Sequence, residues 1–212
     1  MNPKKLLIAI DGPSSSGKGT IAKKIATHFN LPCLNTGALY RAIAFLALEQ
    51  GLDLEDVQNI IPLCGDILKL DLESPKLHNE EIGKAASIVA ARPEIRKAIF
   101  DLQRDFALIG IKEKAGAVLE GRDIGTVICP DANHKFFITA SAEVRATRRV
   151  SQLKGNNVDA DYNVILEQLK NRDFQDKTRA VSPLKKADDA IEIDTSEMNI
   201  EQVFQKILSF IK

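Results

Sequence analysis

The nine residues "GPSSSGKGT", from Gly12 to Thr20, have the spacing Gly-x4-Gly-Lys. They follow the apolar run Leu6-Leu7-Ile8-Ala9-Ile10 and lead into a stretch of helical spacing. A glycine-rich turn between strand and helix gathers several backbone N–H groups around one point, and the helix N-terminus adds a positive dipole end. Gly12, Gly17 and Gly19 permit a backbone approach that a Cβ would block. Pro13, Ser14, Ser15 and Ser16 fill the bend, and Lys18 is the cation that reaches β- and γ-phosphates. The chemistry is that of holding a triphosphate tail. One place departs from the common form: Gly19 follows Lys18 where Ser or Thr is usual, and Thr20 comes one residue later. The same stretch also fits the dinucleotide pattern G-x-G-x-x-A, from Gly17 to Ala22. That pattern takes its first glycine straight off the strand and an acid about 20 residues on. Gly17 is seven residues past Ile10, and no Asp or Glu lies between Thr20 and Leu48, so the phosphate loop is the better reading.

A phosphate loop leaves kinase, ATPase and GTPase open, and the purine-reading NKxD of GTPases is absent. Downstream arginines narrow the choice. In "NTGALYR", Thr36 and Gly37 start a helix and Arg41 lies about one turn in, which makes a second anion site; a capped helix with a solvated arginine is the plain alternative. "EGRDIGT" follows an expected strand, so Glu120, Arg122 and Asp123 face the crevice at the carboxyl ends of the sheet; the alternative is a surface turn held by an Arg–Asp pair. In "RDFQDKTR", Arg172, Asp176 and Arg179 are spaced i, i+4, i+7, one face of a helix that continues through them. An exposed ion-pair ladder has the same spacing, and the cluster Arg145, Arg148 and Arg149 has the same alternative. A regulatory ATPase would need a partner surface and a water-positioning residue rather than a second anion site.

These residues need a scaffold of alternating strands and helices. Lys4 to Ile10 reads as a buried strand, and Thr20 to Phe29 as a helix with Ile21, Ile25 and Phe29 on one face. "LPCLNTG" is a short strand, Ala38 to Glu49 a helix stopped near Gly51, and Leu54 to Leu63 an amphipathic segment. Ile67 to Leu77 alternates weakly and fits strand or irregular structure. Glu80 to Ala91 reads as helix, and Pro93 opens another that reaches about Ile109. "AGAVLEG" and "HKFFITA" are strands; Ser141 caps the helix "AEVRATRRVSQL". The polar link "KGNNVDAD", a helix from Tyr162 to Asp176, the loop "KTRAVSPLKKADD", the strand "AIEIDTS" and a helix from Ile200 to Ile211 complete the chain. The fold class is α/β: a parallel sheet with helices on both faces.

At 212 residues the chain fits one domain. Its 29 basic and 29 acidic side chains balance, so no global field favours nucleic acid or an acidic membrane. Cys33, Cys64 and Cys129 are an odd number with no CxxC, as for reduced thiols in a cytoplasm. The apolar run after Lys4-Lys5 is too short for a signal peptide, and no stretch is long enough to span a bilayer. Nothing demands more than a monomer.

The set of motifs resembles the bacterial cytidylate kinase family, from "IAIDGPSSSGKGT" to "ADDAIEIDTS". Its most specific pieces are "GRDIGTVICPDA", "FFITASAEVRATRR" and "RDFQDKTRAVSPL", and "GKGT" is the form seen in small nucleoside monophosphate kinases. The resemblance implies the P-loop nucleoside monophosphate kinase fold across residues 1–212, with a monophosphate-binding insert at about 37–110 and a lid at about 150–185. It implies transfer of the γ-phosphoryl of ATP to CMP or dCMP with Mg²⁺. Residues 12–20 and Arg148 would hold ATP, with Lys18, Arg122 and Arg179 catalytic. Thr36, Arg41, Arg122 and Arg179 would meet the CMP phosphate, Ser87, Arg96 and Asp123 the cytosine, and Arg172 and Asp176 the sugar. Thr20 and Glu120 are the candidates for Mg²⁺, mostly through water. Two departures stand out: Asn35 replaces a frequent Asp, and His78-Asn79 lies where an Arg-Thr pair would fall in an insert that looks shortened. UMP, AMP or shikimate would be the rival acceptors, but Arg96 and Asp123 suit a pyrimidine and would be idle with a carbocyclic acid.

Overall fold

A computed structural model describes residues 5–155 and 158–211. Five strands form one parallel sheet in the order β2-β3-β1-β4-β5: β1 (Leu6–Asp11), β2 (Cys33–Asn35), β3 (Gly116–Gly121), β4 (His134–Thr139) and β5 (Ile191–Asp194). The central strand β1 pairs with β3 from Leu6↔Gly116 to Asp11↔Gly121, and with β4 from Ile8↔His134 to Asp11↔Phe137. All five carboxyl ends therefore lie along one edge. The sheet is buried on both faces, as its near-continuous apolar strands require. Leu7, Ala9, Ala117 and Leu119 pack with Leu39, Ile43, Val89 and Ile95 on one side. Ile8, Ile10, Val118 and Phe136 pack with Ile21, Ile25, Val203 and Phe204 on the other.

The helices are α1 (Lys18–Phe29), α2 (Thr36–Glu49), α3 (Val57–Ile60), α4 (Glu80–Ala90), α5 (Pro93–Ala98), α6 (Phe100–Glu113), α7 (Ala142–Gly155), α8 (Tyr162–Thr178) and α9 (Ile200–Leu208). Asn35 is the N-cap of α2, its side chain accepting from Ala38 N. Ser141 Oγ accepts from Val144 N as a cap of α7.

One reading left open is decided, and two expectations are corrected. The segment Ile67 to Leu77 holds no strand; it is built from tight 3₁₀ turns at Ile67–Lys69 and Pro75–His78, with Ile67 and Leu77 buried against α2. The expected helix from Pro93 to Ile109 is broken at Ile99, whose φ of −108° and ψ of 5° leave the helical region while its side chain is fully buried. Helix α8 ends at Thr178, so Arg179 lies beyond it with φ −59° and ψ 141° and does not continue the face of Arg172 and Asp176. The expected link "KGNNVDAD" includes Asn156 and Asn157, which are outside the described residues. Among the described residues no helix is long and apolar enough to cross a membrane.

Candidate active site

Strand β1 ends at Asp11 and the chain turns at once into the glycine-rich loop. Gly12 has φ 148°, and a Cβ there would run into the Ile138 carbonyl of β4. Gly17 has φ 92° and caps α1. Ser15 is also in the left-handed region, at φ 60°, a conformation a serine adopts only where its surroundings hold it. Lys18 Nζ donates to Pro13 O at 2.7 Å, so the ammonium is folded back over its own loop. Burial first, then the neighbouring Arg122, lowers its pKa to about 7.

A cavity of about 800 Å³ opens beside the loop, lined by Ser15, Gly17, Thr20, Arg148, Thr195 and Asn199 among others. It lies between α1, α7 and the start of α9, and its size suits a nucleotide. Arg148 donates to Thr195 Oγ1 at 3.0 Å, to Thr195 O at 2.6 Å and to Ser16 O at 3.4 Å, so it braces the wall as well as lining it. Arg145 is neither a phosphate contact by geometry nor part of an exposed ladder, for it is only 3% exposed. It pairs with Asp173 at 2.6 Å and donates to Ser14 O at 3.2 Å, tying α7 and α8 to the loop.

A second pocket lies across the edge of the sheet. Thr36, Ser87, Arg96, Arg122, Asp123, Arg172, Asp176 and Arg179 all line it. Arg96 and Asp123 form a buried ion pair, and Arg96 also donates to Ala90 O at 3.0 Å. The guanidinium lies 5.3 Å from the Tyr40 ring centroid. Arg96 is buried within the short helix α5. Arg122 Nε donates to Asp176 Oδ2 at 2.9 Å. Burial works to raise the Asp176 carboxyl, yet Arg122, Arg172 and Arg179 together hold it below its usual range. Burial and neighbouring cations lower Arg172 and Arg179, with Arg122 beside the first and Arg96 beside the second. Buried Arg172 Nε and Arg179 Nη2 have no hydrogen-bond partner among the described residues. Orphaned guanidinium donors in a tight cationic pocket are the complement of an anion.

Between the two pockets, Ser14, Ser15, Arg41, Glu80, Arg149 and Arg172 line a small gap of about 60 Å³. Arg41 donates to Leu77 O at 2.8 Å and to Asn79 O at 3.3 Å, so it is anchored on the turn before α4 and not solvated. Burial, Arg172 and Arg149 bring its pKa down to about 10. Thr36 Oγ1 donates to Glu120 O at 2.8 Å, and Ser87 Oγ donates to Gly83 O at 3.2 Å. Glu120 lies beside Gly19: a Cβ on that glycine would stand 2.9 Å from Glu120 Oε1.

The family model described as Cytidylate kinase matches residues 8–212. The chain belongs to the cytidylate kinase family. A cytidylate kinase of Methylocella silvestris is 47% identical over 98% of this chain and 94% of its own length. One of Azorhizobium caulinodans is 48% identical, covering 98% of each chain. Among solved structures, an uncharacterized protein from Eubacterium ventriosum aligns with TM-score 0.55 at 18% identity over 98% of both chains. A gluconokinase from Sinorhizobium meliloti aligns with TM-score 0.51 at 14% identity over 98% of this chain and 92% of its own. These two likenesses speak for the fold.

Within this cytidylate kinase family member, the positions expected for CMP gather around one pocket, and Arg41 sits in the gap that joins it to the donor loop. Sequence reasoning missed Tyr40, Glu80, Thr195 and the carboxylate of Asp11, and it named Arg149 without its partners. Arg149 Nη2 meets Glu80 Oε2 and His78 O at 3.4 Å each, linking α7 to the start of α4. The signal for Asp11 was its place between strand and loop. The others have no local signature, because their partners are far away in sequence.

Proposed function

We infer that the chain transfers the γ-phosphoryl group of ATP to CMP or dCMP, giving ADP and CDP or dCDP. The observation that carries this reading is the pocket in which the buried Arg96–Asp123 pair and Ser87 stand beside Arg122, Arg172, Asp176 and Arg179, in a chain of the cytidylate kinase family. Cytosine offers an N4 amino donor and N3 and O2 acceptors. Asp123 or Ser87 can take the donor and Arg96 can serve the acceptors. A base with the wrong edge would leave these buried groups unpaired, at about 1–3 kcal/mol each.

In this reading Lys18, the loop amides, Thr20 and Arg148 hold ATP, while Arg41, Arg122 and Arg179 converge on the acceptor phosphate, with Thr36 beside it. An acceptor phosphate oxygen forms its bond to the γ-phosphorus as the bond from that phosphorus to the bridging oxygen of ADP breaks. The attacking oxygen is already anionic, so no strong general base is needed, and catalysis consists of positioning and charge neutralisation. Residues 37–110 act as the acceptor-binding insert and 150–185 as a lid that keeps water from the γ-phosphate. Both half-sites come from one chain, so a monomer suffices. Three unpaired thiols suit the cytoplasm.

The residues fit a magnesium ion carried in by the nucleotide. Glu120 offers one carboxylate beside Gly19, and no cluster of three or more His, Cys, Asp or Glu that could hold a metal is found among the described residues. Bound Mg²⁺ would neutralise β- and γ-phosphate charge. Phosphate oxygens and water would hold it, with Thr20 and Glu120 orienting the water. The deciding assay is ADP release with CMP, dCMP, UMP, AMP and shikimate; activity with AMP or shikimate and none with CMP overturns the reading.

A further inference from the structure

We propose that Asp11 is a positioning residue that locks the turn carrying Arg122 and Asp123 to the end of the donor-loop strand. The proposal rests on the acceptor reading given above. Strands β1 and β3 run side by side until Asp11 faces Gly121, and there the ladder ends. Beyond that pair β1 becomes the phosphate loop and β3 becomes Arg122-Asp123. Nothing in the backbone ladder fixes one departing segment against the other.

The Asp11 carboxylate does so. Its Oδ1 accepts from Ile124 N and its Oδ2 from Gly125 N, each at 2.8 Å. These are the two amides directly after Asp123, at the start of a π-helical turn over Ile124–Ile128. They are donors that such a turn leaves without partners of its own. One carboxylate, one oxygen to each amide, satisfies both and fixes the peptide planes that follow Asp123. The residue is only 5% exposed, so the two bonds are shielded from water. Gly125 keeps the contact close, because a Cβ there would stand 3.2 Å from Lys135 Cδ and 3.4 Å from Asp11 Oδ2.

Asp11 therefore touches the frame of both half-sites. Gly12 of the donor loop is its chain neighbour, and Asp123, paired with Arg96, sits one residue before the amides it holds. A shift of about 1 Å between donor and acceptor can cost about a hundredfold in rate. A burial role alone would not call for two directed bonds to the turn that carries the acceptor residues.

The test compares Asp11→Asn, Asp11→Ala and Asp123→Ala with the wild type. Asparagine keeps the shape and one acceptor oxygen but turns an NH₂ toward the second amide. Steady-state rates are measured with CMP and with UMP, and ATP affinity by calorimetry. The ratio of kcat/KM for CMP to that for UMP does not depend on the fraction of enzyme that is folded. For Asp11→Asn we expect kcat with CMP to fall about ten- to a hundredfold, the CMP:UMP ratio to fall, and ATP affinity to hold. Asp11→Ala should go further in the same direction. Wild-type kcat and ratio in Asp11→Asn overturn the proposal, as does a loss of rate that only follows the folded fraction at a constant ratio. If Asp123→Ala leaves the ratio unchanged, the base-reading assignment is what fails. Asp11 is then judged on kcat per folded enzyme, and a wild-type value overturns it.

Discussion

Replacing Arg96 by alanine tests the proposed acceptor pocket apart from the rest of the site. The Arg96 and Asp123 side chains are 8% and 6% exposed. Truncation strips Asp123 of its ion pair and leaves Ala90 O without its donor. Breaking a buried pair by removing one partner costs about 3–5 kcal/mol. At about 2–4 °C per kcal/mol for a chain of this size, melting should drop by about 6–20 °C. The loss in catalysis is a separate quantity. Cytosine acceptors that Arg96 would serve are left unpaired, at about 1–3 kcal/mol, so kcat/KM for CMP should fall about 5- to 150-fold. ATP affinity should hold, since the donor cavity shares no residue with Arg96. The double variant Arg96→Ala/Asp123→Ala removes the stranded charge as well. Its stability loss should be smaller than the sum of the single losses by about 0.5–3 kcal/mol. Urea unfolding of the four proteins measures this coupling, and calorimetry with ATP measures the donor side. Additive losses, or a parallel fall in ATP affinity, would refute the assignment of Arg96 to a buried acceptor pair.

Gly19→Ser restores the common loop form and sets a Cβ 2.9 Å from Glu120 Oε1, the movable end of a side chain; we expect melting to hold while the displaced carboxylate changes the Mg²⁺ requirement in the ADP-release assay. Gly12→Ala forces a Cβ into the Ile138 carbonyl at φ 148°, so soluble protein should melt lower, and wild-type melting would contradict the crowding. Lys18, lowered to about 7 by burial and Arg122, should regain its proton when an anionic phosphate arrives. ATP binding near pH 8 should therefore take up a proton, seen by calorimetry in buffers of different ionisation enthalpy. The unfolded lysine binds more protons between about 7 and its ordinary 10.5, so this group makes ligand-free stability rise with pH across that window. Asp11, raised to about 6 mainly by burial, works the other way: the folded state binds more protons between 3.8 and about 6, and its contribution falls as pH rises there.

Features written in contiguous residues were legible in advance. The apolar run of β1, the glycine spacing and Lys18 are neighbours in the chain, and the sheet class follows from strands alternating with helices. The acceptor residues were legible only as separate motifs, and it is the topology that brings Arg96, Asp123 and Asp176 together. Tertiary packing decided the failures. The pattern from Pro93 to Ile109 is helical throughout, yet burying Ile99 fully breaks it into α5 and α6. Of the two readings open for Ile67 to Leu77 the irregular one holds, since Pro75 and Gly65 cut the stretch into short turns. Spacing suggested that Arg179 shares a helical face with Asp176; the helix stops first, and the two still approach to 3.8 Å. Asp11 bonds to Ile124 across 113 residues and Arg149 to Glu80 across 69, so the sequence marks the two positions but not their partners.

The pocket proposed for the acceptor encloses only about 50 Å³, whereas a pocket that holds a small molecule needs about 300–1,000 Å³. On the reading proposed above, α4 and α8, which both line this pocket, would stand further apart with a nucleotide between them. The apparent affinity for CMP is then its intrinsic affinity multiplied by the fraction of molecules that stand open. Substitutions that prop the two helices apart should make the enzyme bind its acceptor more tightly and turn over more slowly, because the same closure that hinders entry brings the arginines together.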